Sequence, residues 1–125
     1  MFPQNKVRLL LAAPASIMGS SLRTFLGTIN EVEMTGYVNK PDDIQTALIN
    51  QHPAILLVDA DLVDQFAIPN FETILTEIHK NCTSIRTIVL VNSFSQKSAA
   101  LKAKCELILI KGELGDQLRK AIPEY

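Results

Sequence analysis

Pro53-Ala54-Ile55-Leu56-Leu57-Val58-Asp59 is a continuous apolar run that closes on a carboxylate. It does not alternate between apolar and polar side chains. A strand buried on both faces has this pattern, which is the habit of parallel sheets. Further apolar runs lie on either side of it, at 7–13 (broken by Arg8), 32–38 (partly polar), 88–91 and 107–110, and three of the five are continuous. Five short strands are therefore expected.

Between the runs, apolar residues recur with helical period. Met18, Leu22, Phe25, Leu26 and Ile29 make one stripe, and Ile44, Ala47 and Leu48 a second. Phe71, Ile74, Leu75 and Ile78 make a third, and Leu114, Leu118, Ala121 and Ile122 close the chain in the same way. Each stripe is one face of a helix. Pro41 suits the first helical position, and Asp42 and Asp43 beside it favour the positive end of the helix dipole. Asn70, after Pro69, is the expected cap of the third helix, with Glu72 and Thr73 in its first turn. Ser95 is the expected cap of a short fourth helix running to about Lys104.

Strict alternation of strand and helix with short connections predicts an α/β fold. It is expected to be a doubly wound five-stranded parallel sheet with helices on both faces. The 125 residues are read as a single domain, 1–125, almost fully consumed by five strand–helix units. On this reading no output domain follows the last helix. In open α/β sheets, ligands bind beyond the carboxyl ends of the strands. The residues to inspect are therefore Ala13 and Pro14, the stretch from Asp59 to Asp61, Asn92 and Ser93, and Lys111 and Gly112.

Composition narrows the function classes. Hydrophobic residues make up 47% of the chain, enough to fill a core. Lys and Arg total 12 against 13 Asp and Glu, a net charge of −1. That balance argues against nucleic acid or an anionic membrane as the main partner, since both select basic surfaces. Two cysteines, Cys82 and Cys105, and two histidines, His52 and His79, make no ligand-spaced motif. Gly19, Gly27 and Gly36 form no phosphate-binding loop. No nucleophile and base stand in a recognisable constellation, so an enzyme is not expected. With no signal peptide at the start and no apolar run long enough to span a bilayer, the cytoplasm is the expected compartment.

The ordered set of strands resembles the receiver domains of response regulators, the CheY-like family, over almost the full chain. The stretch Val7-Arg8-Leu9-Leu10-Leu11-Ala12 resembles the first strand of receivers that precede helix-turn-helix output domains. The run ending at Asp59 resembles the third strand, which ends on the phosphoacceptor aspartate. Ile88-Val89-Leu90-Val91-Asn92-Ser93-Phe94 and Leu109-Ile110-Lys111 resemble the fourth and fifth strands. The stretch from Gly115 to Ile122 resembles the closing helix.

The resemblance implies a site. Asp59 stands at the phosphoacceptor position and Lys111 at the lysine that contacts the phosphoryl group. Asn92, with Ser93 next, stands where the family has a phosphoryl-contacting Thr or Ser. The two acidic residues that hold Mg²⁺ in the family are replaced by Ala13 and Pro14. The aromatic switch position reads Ile108, and the fourth-helix region is a few residues short. Mg²⁺ is poorly held by one carboxylate alone. Asp61 would join Asp59 only if strand alternation carried on past Asp59, and Asp64 falls in a loop.

The resemblance therefore implies a pseudo-receiver, acting through protein–protein contact, with phosphorylation at Asp59 absent or inefficient and no cofactor. The implied partners are a sensor kinase, a phosphotransfer protein or a downstream effector, and a homodimer through the fourth and fifth helices stays open. Two alternatives also stay open: a phosphorylatable regulator with an atypical Mg²⁺ site, and an α/β domain that binds a small molecule or anion at its strand ends. Asp59 and Lys111 could equally form a structural ion pair. The remaining readings are plainer. Cys82 and Cys105 are small residues near a core edge, His52 lies in a surface turn, and His79 faces solvent beside Lys80. Lys97, Lys102 and Lys104 form a solvated basic stretch.

Overall fold

The computed structural model describes residues 6–64, 71–81, 85–102, 105 and 107–110. Five strands run through it: β1 (Val7–Ala12), β2 (Val32–Val38), β3 (Ile55–Asp59), β4 (Arg86–Val91) and β5 (Leu107–Ile110). Five helices are described: α1 (Ile17–Gly27), α2 (Asp42–Gln51), α3 (Ala60–Asp64), α4 (Phe71–Asn81) and α5 (Phe94–Lys102). All the strand pairs are parallel, in the order β2-β1-β3-β4-β5. The expected doubly wound sheet is what forms. The expected helix at 114–122 lies outside the described residues.

The continuous apolar runs are explained by burial on both sides. Alternate residues of each strand point to opposite faces. Leu10, Ala12, Leu56, Val58, Val89 and Val91 pack on one face with Ile44, Leu48, Leu62, Leu75, Ile78 and Ala100 of α2 to α5. Leu9, Leu11, Ile55, Leu57, Ile88 and Leu90 pack on the other face with Leu22, Leu26 and Ile29 of α1 and the turn that follows it. All five residues of β3 are buried, so this central strand needs an apolar side chain at every position except its last.

Local signals fix the helix ends. Ser16 has extended backbone, and its hydroxyl accepts from the Gly19 N–H, which caps α1. Pro41, already helical in φ and ψ, leads into Asp42 and Asp43 of α2. α2 stops at His52, which adopts the left-handed conformation with φ 48° and returns its N–H to the Leu48 carbonyl. His52 is exposed, as expected of a turn.

Two expectations change. α5 begins at Phe94, and its cap is Ser93, whose Oγ accepts from the Gln96 N–H at 3.2 Å. Ser95, the expected cap, lies inside the helix, because the polypeptide turns two residues earlier at the end of β4. His79 does not face solvent. It is half-buried, and its Nε2 lies 3.0 Å from Oγ1 of the fully buried Thr87. The buried hydroxyl needs a partner, and the imidazole provides one. The expected cap Asn70 and the residues Cys82 and Lys104 lie outside the described residues. Lys97 and Lys102 are exposed, and Cys105 is half-buried against the core.

Candidate functional site

The carboxyl ends of β1, β3 and β4 lie side by side, and this juxtaposition collects most of the expected residues. Ala12 pairs with Val58 and Asp59 with Leu90. Ala13 and Asp59 therefore follow in step on adjacent strands, with Asn92 just past the end of β4. This is also the topological switch point. β1 leads into α1 on one face of the sheet, whereas β3 leads into α3 on the other.

Asp59 is 1% exposed. Its Oδ1 accepts a 2.9 Å hydrogen bond from the Asp61 N–H, so its carboxylate caps the first turn of α3. This explains the abrupt passage from strand to helix: extended backbone ends at Asp59 and helix begins at Ala60. Strand alternation therefore does not carry Asp61 to the same side as Asp59. Asp61 belongs to a helical turn, and its Oδ1 instead accepts from Gln96 Nε2 at 2.7 Å.

Gln96 is the residue the sequence did not single out. It is one of the few buried polar side chains among the described residues, at 8% exposed. Its Oε1 accepts from the Asn92 N–H at 2.7 Å while its Nε2 reaches Asp61. One amide thus ties the end of β4 to the start of α3. A glutamine three residues after a serine cap is a known capping signal. That signal was visible in Ser93-Phe94-Ser95-Gln96, although the long-range contact to Asp61 was not.

The other expected residues fall as follows. Ala13 and Pro14 are buried, and the Pro14 carbonyl accepts from Tyr37 Oη at 3.0 Å. Asn92 and Ser93 are exposed. The Ser93 hydroxyl is committed to the α5 cap and lies 3.2 Å from Ser95 Oγ. Ile108 is half-buried, pairs with Val89 and packs against the core face shared with Ala99 and Ala100. Lys111 lies outside the described residues, as does the side chain of Asp64.

The Mg²⁺ that the phosphorylatable alternative requires does not fit the described donor set. Ala13 and Pro14 offer no carboxylate. Asp59 Oδ1 is engaged by a backbone N–H and Asp61 Oδ1 by the Gln96 amide. Among the described residues no three His, Cys, Asp or Glu side chains gather in a group that could hold a metal ion. Mg²⁺ demands near-octahedral oxygen ligation and dehydrates reluctantly, so a site of this composition gives it little purchase.

Solved structures share this fold. The isolated REC domain of RcsB from Salmonella enterica serovar Typhimurium, solved with the phosphomimetic BeF₃⁻, superposes with a TM-score of 0.77. It is 22% identical, over 95% of this chain and 87% of that one. The signal receiver domain of NarL from Mycobacterium tuberculosis gives a TM-score of 0.78 at 14% identity, over 97% of this chain and 96% of that one.

The fold is that of a response-regulator receiver domain.

A receiver fold of this size is part of a longer protein in some of these neighbours. The chain spans 59% of the Salmonella typhimurium RcsB response regulator, which it matches with a TM-score of 0.78 at 22% identity. No family model matches the sequence, and no curated protein matches it. Within this fold the strand ends bring Asp59 beside Ala13 and Pro14, which carry no carboxylate. No described helix is long and apolar enough to cross a membrane.

Proposed function

We propose that this chain is a receiver-like signalling module of a two-component or related pathway, working in the cytoplasm through protein–protein contact, with phosphorylation at Asp59 absent or inefficient. The observation that carries the reading is the composition of the strand-end cluster: a receiver fold whose acidic pair is Ala13 and Pro14, and whose acceptor aspartate is buried and capping α3. Phosphoryl transfer consists largely of positioning and charge neutralisation, much of it supplied by the metal. Without a fitting metal site, the developing charge on the phosphoryl group lacks its main counterion.

The downstream half of a phosphorylation switch is also altered. Ile108 has neither a hydroxyl nor a ring to reorient. Gln96 fastens the end of β4 directly to α3. A module braced in this way presents one surface to its partner, a sensor kinase, phosphotransfer protein or effector. Phe94 (85% exposed) and Leu101 (59% exposed) on α5 are apolar side chains available for such contact.

The test is incubation with acetyl phosphate and Mg²⁺, followed by the intact mass. Only a trace of phosphoryl adduct is expected. Near-stoichiometric addition of one phosphoryl group, lost in Asp59→Ala, would overturn the reading in favour of a phosphorylatable regulator.

A further inference from the structure

A depression in the described surface lies away from the strand-end cluster. It is an open groove of about 990 Å³ between the outer flank of α1 and the edge strand β2. Ser16, Ser20, Thr24 and Thr28 recur at four-residue spacing and all line it. That spacing places them in one row along the helix. Arg23 lies beside the row, and Tyr37 and Asn39 of β2 and its end form the opposite wall. Among the described residues the lining carries one guanidinium, several hydroxyls and no carboxylate. Arg23 is the only charged residue of α1.

Arg23 is held rather than loose. Its guanidinium carbon stands 4.8 Å from the centroid of the Tyr37 ring, a cation–π contact. The ring is itself fixed, because Tyr37 Oη donates to the Pro14 carbonyl at 3.0 Å. The first turn of α1 closes on that same carbonyl. A Cβ on Gly19 would come within 2.2 Å of the Pro14 oxygen and 3.3 Å of Tyr37 Oη, so only glycine fits there. A guanidinium stacked by one face keeps its N–H edge for an anion, and it has already given up part of its rotamer freedom. The row of hydroxyls is divided in use. Ser16 Oγ caps Gly19 and Thr28 Oγ1 donates to the Phe25 carbonyl, while Ser20 and Thr24 flank Arg23 in the middle of the groove.

We propose that the groove between α1 and β2 binds a small molecule carrying a phosphate or carboxylate group, with Arg23 gripping the anion, Ser20 and Thr24 donating to it, and the rings of Tyr37 and Phe25 supporting the body of the ligand. This function goes beyond the signalling reading and does not depend on it, since none of Asp59, Asp61 and Gln96 lines the groove.

The experiment is a titration of ¹⁵N-labelled full chain with inorganic phosphate and with phenyl phosphate, read by amide chemical shifts. Saturable shifts confined to residues 16–28 and 37–39 are expected, with phenyl phosphate the tighter of the two because it adds ring contact. Arg23→Gln should weaken binding about tenfold, the scale of losing a charge-assisted hydrogen bond, while a cooperative thermal melt shows that the fold is retained. Asp59→Asn should leave it unchanged, which separates this site from the strand-end cluster. Shifts that fail to saturate, that scatter over the surface, or that are the same in Arg23→Gln would overturn the proposal.

Discussion

Gln96 Nε2 donates to Asp61 Oδ1 at 2.7 Å, a side-chain hydrogen bond between residues 35 apart in sequence. The same amide takes the Asn92 N–H on its other atom. Both groups of one buried amide are thus satisfied, and two adjacent strand ends are held at a fixed spacing. Hydrogen bonds to a charged partner are stronger than neutral ones, and a buried polar group left without its partner costs its full desolvation.

Replacing Gln96 by leucine keeps the bulk and removes both bonds. The expected loss is about 2 kcal/mol of unfolding free energy. Urea denaturation should show a lower midpoint with an unchanged slope. In a double-mutant cycle with Asp61→Ala, the two changes should be non-additive by about 1 kcal/mol, because each removes the same bond. Full additivity would mean that the contact contributes nothing.

Asp59 is predicted to matter to stability through its cap on α3, whatever its role in signalling. Asparagine retains an oxygen that can accept from the Asp61 N–H, and alanine does not. Asp59→Asn should therefore be more stable than Asp59→Ala by about 1 kcal/mol. Equal urea midpoints for the two variants would remove the capping role.

His52 closes α2 with φ 48° and ψ 55°, the only positive φ of a non-glycine residue among the described positions. The left-handed region costs an ordinary side chain about 1–2 kcal/mol, part of which glycine returns through its freedom in the unfolded chain. His52→Gly should raise stability by about 0.5–1 kcal/mol. The Arg8 Nη1 contact to the His52 carbonyl uses backbone on the acceptor side and should survive the change. A lower thermal midpoint in this variant would show that the imidazole makes a contribution of its own.

These residues also show what could be read in advance. The strands were legible because burial on both faces forces unbroken apolar runs such as Ile55-Leu56-Leu57-Val58. α1, α2 and α4 were legible because each lays one apolar stripe on the sheet. α3 was not, since five residues are too few to display a helical period, and its existence depends on a cap from the preceding strand. Pairing of side chains across the strand ends was hidden for a different reason. The Gln96 contact to Asp61 is set by where the first turns of α3 and α5 meet in space, and nothing local in either segment encodes it. That Ala13 and Pro14 bring no carboxylate to the strand ends was visible at once, because it is a matter of residue type alone.

Substituting Gln96 by glutamate tests the same bridge through charge instead of shape. The variant keeps an oxygen for the Asn92 N–H but sets a second carboxylate against Asp61 at hydrogen-bonding distance. Two carboxylates so close cannot both ionise cheaply, so one of them holds its proton to higher pH than it does in the unfolded chain. A carboxyl group whose pKa is raised by folding contributes stability below its unfolded value, about 4 for Asp and Glu, and loses it as pH rises through the folded value. Gln96→Glu should therefore come close to the parent protein at acid pH, where the shared proton restores a hydrogen bond. It should fall progressively behind as pH rises to neutrality, by about 2 kcal/mol or more at about pH 7.5. The difference in unfolding free energy between the two proteins, measured by urea titration across that range, gives the result directly. A difference that stays flat with pH would mean that residue 96 and Asp61 are not in contact in solution.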